Sequence, residues 1–267
     1  MASRPTKLSD GIECTLTGTG AVFRLGEVLD GLPFTVRPTV AVVIAAANAA
    51  PTLPHLFARL PKVDEVALVD LGSRDDTARV ARSLWPGLMI VDGTGMKSGD
   101  ALTVGTRATS ADIVILFNAD GPGDLAELPR FLHALIDGAD VAKGTRSADT
   151  THAGKGLGNG ALLRLANLAF GTDFSDLSFG YYAFWRSALE RIVLDHDGVE
   201  LDALLALRAA RAGLLVAEIQ CGESPRLDSQ RTVRPLRDRL RLFRAIVAEY
   251  SGADERGLAD LDVVSAA

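Results

Sequence analysis

The chain has little cysteine and little histidine. Its 267 residues hold two cysteines, Cys14 and Cys221, and four histidines. That excludes a disulfide framework and a Cys-rich zinc module, and argues against a His-rich metal cluster. No run approaches the ~18 apolar residues of a membrane span, so no integral membrane segment is expected. The opening MASRPTKLSDGIEC has no apolar signal core, and a reducing, cytoplasmic compartment is the expectation. A basic excess is also missing: 28 Lys and Arg face 34 Asp and Glu, for a net charge of −6. A nucleic-acid binder should carry a basic footprint, so that class is set aside. What remains is an ordinary globular composition, 48% hydrophobic and 23% charged. At about 150 residues per domain the length suits one large domain or two small ones.

A regular alternation of elements begins at Thr39. VAVVIAA (40–46) is a continuous apolar run suited to a strand buried on both faces. PTLPHLFARL predicts a short helix, with Pro51 near its first turn. EVALVD (65–70), LMIVD (88–92), DIVILF (112–117) and ADVAKG read as further strands. Helices are expected over Asp75–Leu84, Gly99–Thr109 and DLAELPRFLHALIDG. Strand and helix in alternation with short links imply an α/β fold, a mostly parallel sheet flanked by helices. Ligands of such sheets bind beyond the carboxyl ends of the strands. Attention therefore falls on Ala46–Ala50, Asp70–Ser73, Asp92–Lys97 and Asn118–Gly123. The second half is less regular. A glycine-rich link AGKGLGNG (153–160) precedes a helix, ALLRLANLAF, and then an aromatic segment, LSFGYYAFW (177–185). A helix at 201–212, a strand LLVAEIQ and a helix over Pro235–Tyr250 follow. In that last helix Leu236, Leu240, Phe243 and Val247 form a stripe at helical spacing, expected to be its packed face. Residues 1–37 read as an extension with a short hairpin, TLTGTGAVFRLG. Residues 251–267 read as a loose tail.

Each motif has a functional and a plain reading. In Asp70-Leu71-Gly72-Ser73, Asp70 could bind a ribose or base, while Ser73 with Asp75 could cap the next helix. Taken alone, capping is favoured. In Asn118-Ala119-Asp120, Asp120 could hold a divalent ion that bridges substrate phosphates; the plain reading is a turn. Gly93 to Ser98 imitates a phosphate loop, but Val91 and Met96 stand where its glycines belong, so that reading is rejected. Gly154, Gly156, Gly158 and Gly160 fit a connector better than a dinucleotide fingerprint. Glu200 and Asp202 open a helix, where they complement its dipole or offer a general base. Tyr181, Tyr182, Phe184 and Trp185 are core, or a wall against a sugar, base or apolar acceptor. Arg226, Arg231, Arg234, Arg237, Arg239, Arg241 and Arg244 give 226–244 a net charge of +5 in an acidic chain. That contrast favours a phosphate-bearing ligand or an anionic surface.

Together these segments resemble the family-2 glycosyltransferases, in the branch of bacterial polyprenyl-phosphate mannosyl- and glucosyltransferases. The similarity runs from Val40 to Val247. It is carried by VAVVIAAANAA, VDEVALVDLGSRDDTARVA, SGDALTVGTRATSADIVILFNADG, LPRFLHALIDGADVAKGTR, LGNGALLRLANLAFGTDFSDLSFGYYAFWR and GVELDALLALRAARAGLLVAEIQ. The resemblance implies a GT-A, Rossmann-like fold over 38–250, with a nucleotide half (38–146) and an acceptor half (147–250). Retained family positions are Asp70, Asp100, Asp120, Arg146, Asp176, Glu200, Asp202 and Arg226. Several depart. The Asn-Glu pair after the first strand is Asn48-Ala49. The second Asp of Asp-Asp-Gly-Ser, which reads the base in the family, is Leu71. The Asp-x-Asp metal motif is Asn118-Ala119-Asp120. The Lys before Gly99 is Ser98, and the Asn of the aromatic segment is Tyr182.

By this resemblance the chain is expected to transfer sugar from a nucleotide-diphosphate donor to a hydroxyl, with inversion. Asp120 would sit on Mn²⁺ or Mg²⁺, and Asp176, Glu200 or Asp202 would act as base. Substrate contacts are expected from Asp70, Asp100, Asn118, Arg146, Tyr181, Tyr182, Trp185, Arg226 and Arg231. Neutral residues at the donor end weaken nucleotide-sugar binding, since an unpaired buried polar group costs about 1–3 kcal/mol. Two alternatives stand beside this. One is a scaffold repurposed for tailoring or cyclising a small natural product without a nucleotide sugar. The other is a non-catalytic relative that interacts through its arginines. The partner is expected to be a small phosphate-bearing or apolar acceptor, and the extension could support a homodimer.

Overall fold

The computed structural model describes residues 37–121, 123–146, 157–222 and 235–252. The expected N-terminal hairpin, the first part of the glycine-rich link, Arg226, Arg231, Arg234 and nearly all of the C-terminal tail lie outside the described residues.

Seven strands form one sheet in the order β3-β2-β1-β4-β6-β5-β7. They are β1 (Val40–Ala46), β2 (Glu65–Asp70), β3 (Met89–Asp92), β4 (Ile113–Asn118), β5 (Val141–Arg146), β6 (Tyr181–Trp185) and β7 (Val216–Cys221). Every residue of β1 and β4 is buried, as their unbroken apolar runs require of central strands covered on both faces. β1 pairs in parallel with β2 and β4, and β2 with β3. β6 is the exception: it runs antiparallel to both β4 and β5. β5 and β7 are parallel.

The helices are α1 (Leu53–Arg59), α2 (Thr77–Leu84), α3 (Ser98–Arg107), α4 (Leu128–Ile136), α5 (Leu157–Phe170), α6 (Arg186–Leu189), α7 (Gly198–Arg211) and α8 (Pro235–Ser251). One sheet face carries α1, α2 and α4 over a core of Ile44, Leu53, Phe57, Phe117, Phe131 and Tyr181. The other carries α3 and α5 to α8 over Val43, Leu116, Tyr182, Phe184 and the apolar side of α7. No described helix is long and apolar enough to cross a membrane.

The expected helix from Asp124 is split. Asp124 accepts a bond from the Ala126 amide and caps a short 3₁₀ turn (Leu125–Glu127), and α4 follows with Pro129 in its first turn. Helix α5 starts inside the glycine-rich link, so Gly158 and Gly160 are helical rather than connector. The stripe on the last helix is corrected more sharply. Leu240 and Phe243 are exposed and Val247 is half-buried, while Ala245, Ile246 and Ala248 are buried. The face turned to the core is thus that of Ala245, Ile246 and Ala248, with Leu242 packed partly buried against it.

Tyr181 stacks on Phe131 with centroids 4.1 Å apart and meets Phe117 edge-on at 5.1 Å. Its hydroxyl is buried and has no hydrogen-bond partner among the described residues. Such a group is costly to desolvate. Tyr181→Phe is therefore expected to keep the packing and raise stability by about 1 kcal/mol in urea denaturation; a loss of that size would show that the hydroxyl is satisfied in solution.

Candidate active site

The carboxyl ends of β1, β2, β4, β5 and β7 and the start of antiparallel β6 lie on one edge of the sheet. The registers fix this: Ala46 faces Asp70, Ala45 faces Asn118, and Phe117 faces Tyr181. Ala49 and Leu71 thus follow two neighbouring strands and Asn118 ends a third, β4, so the three departures from the family pattern lie at one edge. Asp120 is exposed beside them, whereas Asn118 is 9% exposed.

The first two loops of this edge are stitched together. Asn48, with φ of 50°, donates its amide to Ser73 Oγ at 2.9 Å and accepts from the Arg74 amide at 2.8 Å. Ala49 donates to Thr77 Oγ1 at 2.8 Å, and Ala50 to Asp75 at 3.1 Å. Asp70 accepts from the Ser73 amide at 2.9 Å. Burial works against the Asp75 charge, but bonds from the Thr77 hydroxyl and from the Ala50 and Thr77 amides hold its carboxyl below the usual range. The capping pair is thus half right: Asp75 serves Thr77, while Ser73 serves Asn48. Leu71 packs partly buried against the α3 side of the core. The Asp70 turn is built for its own hydrogen bonds, with an apolar side chain beside it.

Opposite, the loop before β6 carries Asp176. Arg146 Nη1 donates to one of its oxygens at 2.6 Å, and the Ser178 amide to the other at 2.8 Å. Both oxygens are engaged, so Asp176 is better suited to holding this loop than to taking a proton. Asp202 and Glu200 occupy the first turns of α7 and are each 5% exposed. Glu200 accepts from Arg241 Nε of α8 at 2.7 Å. Asp202 faces Gly180: a Cβ there would lie 3.0 Å from Oδ2, and φ is +72°, so this position needs glycine. Asp100 is exposed in the first turn of α3.

Two helices meet at Asp197. Its Oδ1 accepts from the Ser98 amide at 3.0 Å, the Ser98 hydroxyl at 2.6 Å and the Gly198 amide at 3.0 Å. One carboxylate oxygen therefore caps both α3 and α7, a placement the helix dipoles favour. Gly99 donates to the His196 carbonyl at 3.0 Å, and a Cβ on it would lie 2.6 Å from that oxygen. Ser98, which replaces the lysine of the family pattern, thus acquires a structural role.

The aromatic segment is core rather than wall. Tyr181 and Tyr182 alternate to opposite faces of the sheet, at 0% and 1% exposure. Trp185 pairs with Ile113 at the far end of β4, away from the strand ends. Its indole donates to the Leu135 carbonyl at 3.3 Å. Reversal of β6 places the end of that strand at the opposite edge, which the sequence did not disclose. Two further residues matter that the motifs do not single out: Lys143, signalled only as a charge within an apolar strand, and Asp197, which stands in the polar run Asp195-His196-Asp197 with no signal beyond its place before α7.

Among the described residues no group of three His, Cys, Asp or Glu side chains could hold a metal ion by itself. Magnesium-type ions commonly use one or two carboxylates together with substrate phosphates. Asp120, exposed just beyond the end of β4, has the chemistry of one such carboxylate.

A seven-stranded, mostly parallel sheet with flanking helices and acids gathered at its strand ends is the GT-A class of nucleotide-sugar transferase folds. Residues 41–193 match Glycosyl transferase family 2, and the chain belongs to that family. It is 30% identical over 223 residues to polyprenol monophosphomannose synthase of Mycolicibacterium smegmatis, covering 70% of this chain and 78% of that one. It is 29% identical to a dolichyl-phosphate hexose transferase of Haloferax volcanii, covering 67% and 80%. The alignment with glycosyltransferase AglJ of the same organism spans only 58% of that relative's length. The fold matches glucosyl-3-phosphoglycerate synthase of Mycobacterium tuberculosis, solved with Mn²⁺ and UDP-glucose. There the TM-score is 0.67 at 23% identity, with 88% and 86% of the two chains covered.

Proposed function

We propose that this protein transfers a glycosyl group from a nucleoside-diphosphate sugar to a phosphate-bearing acceptor, with residues 38–146 as the donor half and 147–250 as the acceptor half. The observation that carries the reading is the convergence of Asp120 from one half and Asp202 from the other on a single edge of the sheet. Relatives named for dolichyl-phosphate and polyprenol-monophosphate chemistry support a phosphate-bearing acceptor.

Asp120, with Asn118, would hold Mn²⁺ or Mg²⁺ jointly with the donor diphosphate; when bound, the ion offsets charge on the departing diphosphate. In this reading Asp202 is the general base that takes the proton of the acceptor's attacking hydroxyl. It faces the Asp176 loop, while Glu200 is turned to α8 and paired with Arg241. Asp176, clamped by Arg146 and Ser178, shapes the acceptor side. Attack from the face opposite the leaving group inverts the anomeric carbon. Base recognition differs from the family pattern, because Leu71 offers no acceptor where the pattern has a carboxylate. Arg226 and Arg231 remain candidates for acceptor-phosphate contacts.

Isothermal titration with UDP- and GDP-sugars in the presence of Mn²⁺ tests this directly. Saturable heat with one of them is expected. No heat with any of them overturns the reading.

A further inference from the structure

The transfer reading leaves unused two buried polar side chains where the two halves adjoin in the sheet, Lys143 in one and Tyr182 in the other. Lys143 of β5 and Tyr182 of β6 are cross-strand partners, 0% and 1% exposed. Both reach the face that carries α7. Tyr182 belongs to that core, and the Lys143 ammonium lies 5.7 Å from the ring centre of Phe174, in the same core. Neither is satisfied by the other. The Lys143 ammonium donates to the main-chain carbonyl of Asp176 and, at 3.1 Å, to Glu218 Oε1. Glu218 in turn accepts from the Ser175 amide at 3.0 Å, so the pair grips the loop twice. The Tyr182 hydroxyl donates to the main-chain carbonyl of Asp202 at 2.5 Å.

Adjacent residues on neighbouring strands thus each hold the backbone of a different candidate acid. We propose that Lys143 and Tyr182 are positioning residues that fix the Asp176 loop and the Asp202 turn of α7 relative to each other, and so set the acceptor geometry. Stability alone does not call for this arrangement. A buried ammonium is expensive to desolvate, and an apolar side chain of similar volume is often as stable or more so. A Phe at 182 would pack equally well. What the polar pair supplies is directional: two donors fixed to one strand ladder and aimed at the main-chain carbonyls of Asp176 and Asp202. Tyr182 also stands where the family pattern has Asn, whose shorter side chain could not span the same distance from the strand to α7.

The kinetic arm of the test rests on the transfer reading; the exchange arm does not. Tyr182→Phe and the double variant Lys143→Met/Glu218→Gln, which leaves no stranded carboxylate, are compared with wild type by amide hydrogen exchange. Tyr182→Phe should speed exchange about fivefold or more over 199–206 and leave 173–179 unchanged. The double variant should do the reverse. With a donor that turns over, each should lower kcat about 10- to 100-fold while the donor KM stays within about twofold. Unchanged exchange in both segments, or a uniform rise across the whole chain, overturns the proposal. Should the double variant fail to fold, Tyr182→Phe alone decides, through the difference between its two segments. If no donor is turned over by wild type, the transfer reading fails and the exchange pattern still decides the positioning role.

Discussion

Asp120→Asn should abolish donor binding that depends on Mn²⁺ and lower transfer by about 100-fold or more, the scale of losing a principal electrostatic contact to the leaving group. The reason lies in how little else is at hand. Where the family pattern has its first acid this chain has the neutral amide Asn118, and no three-ligand group of His, Cys, Asp or Glu exists among the described residues. A site of two strong carboxylates could keep partial function after losing one; here Asp120→Asn leaves no carboxylate within 118–120. The complementary change, Asn118→Asp, should strengthen Mn²⁺-dependent binding. Titration of both variants with UDP and Mn²⁺ checks the pair. Equal binding by wild type and Asp120→Asn would remove Asp120 from the site.

Gly99→Ala should lower stability by about 3 kcal/mol, the upper part of the range for forcing a methyl group into a filled space. The new Cβ would meet the carbonyl oxygens of His196 and Leu194 at 2.6 and 2.7 Å. Both obstacles are main chain, so no rotamer change relieves them. The strain would also stretch the bond from Gly99 to the His196 carbonyl and the Ser98 bonds to Asp197. In a protein of this size the melting temperature should drop by about 6–12 °C. Asp197→Ala, which removes the shared cap without a clash, should cost about 1–2 kcal/mol, while Asp197→Asn keeps an acceptor oxygen and should cost less. Calorimetry of the three separates steric from hydrogen-bond effects. A melting temperature for Gly99→Ala within 1–2 °C of wild type, against the ~6 °C minimum expected, would show that the two segments part easily.

Much of the architecture could be read from apolar runs. β1 and β4 are buried on both faces and announce it by having no alternation. The strand-end positions of Asp70, Asn118 and Asp120 followed from that. Three things did not. The direction of β6 was hidden, because a five-residue strand of aromatics reads the same in either orientation; Trp185 was misplaced as a result. The packed face of α8 is not read from the Leu240–Phe243 stripe, because two of its three buried residues, Ala245 and Ala248, are too small to stand out beside the bulkier apolar side chains, and the third is Ile246. The roles of Lys143 and Asp197 were missed because each depends on a partner from another element, 33 or 99 residues away.

The reversed course of β6 has one more effect. β5 ends and β6 begins on the same rim, so the chain between Arg146 and Tyr181 leaves from the ligand side and comes back to it. A parallel strand in that place would have required a crossing to the opposite rim. The chain between the two strands can therefore change where it is exposed while the β4–β6–β5 ladder keeps its register, within the limits set by Ala166, Phe174, Leu177 and Phe179, which are buried in the core.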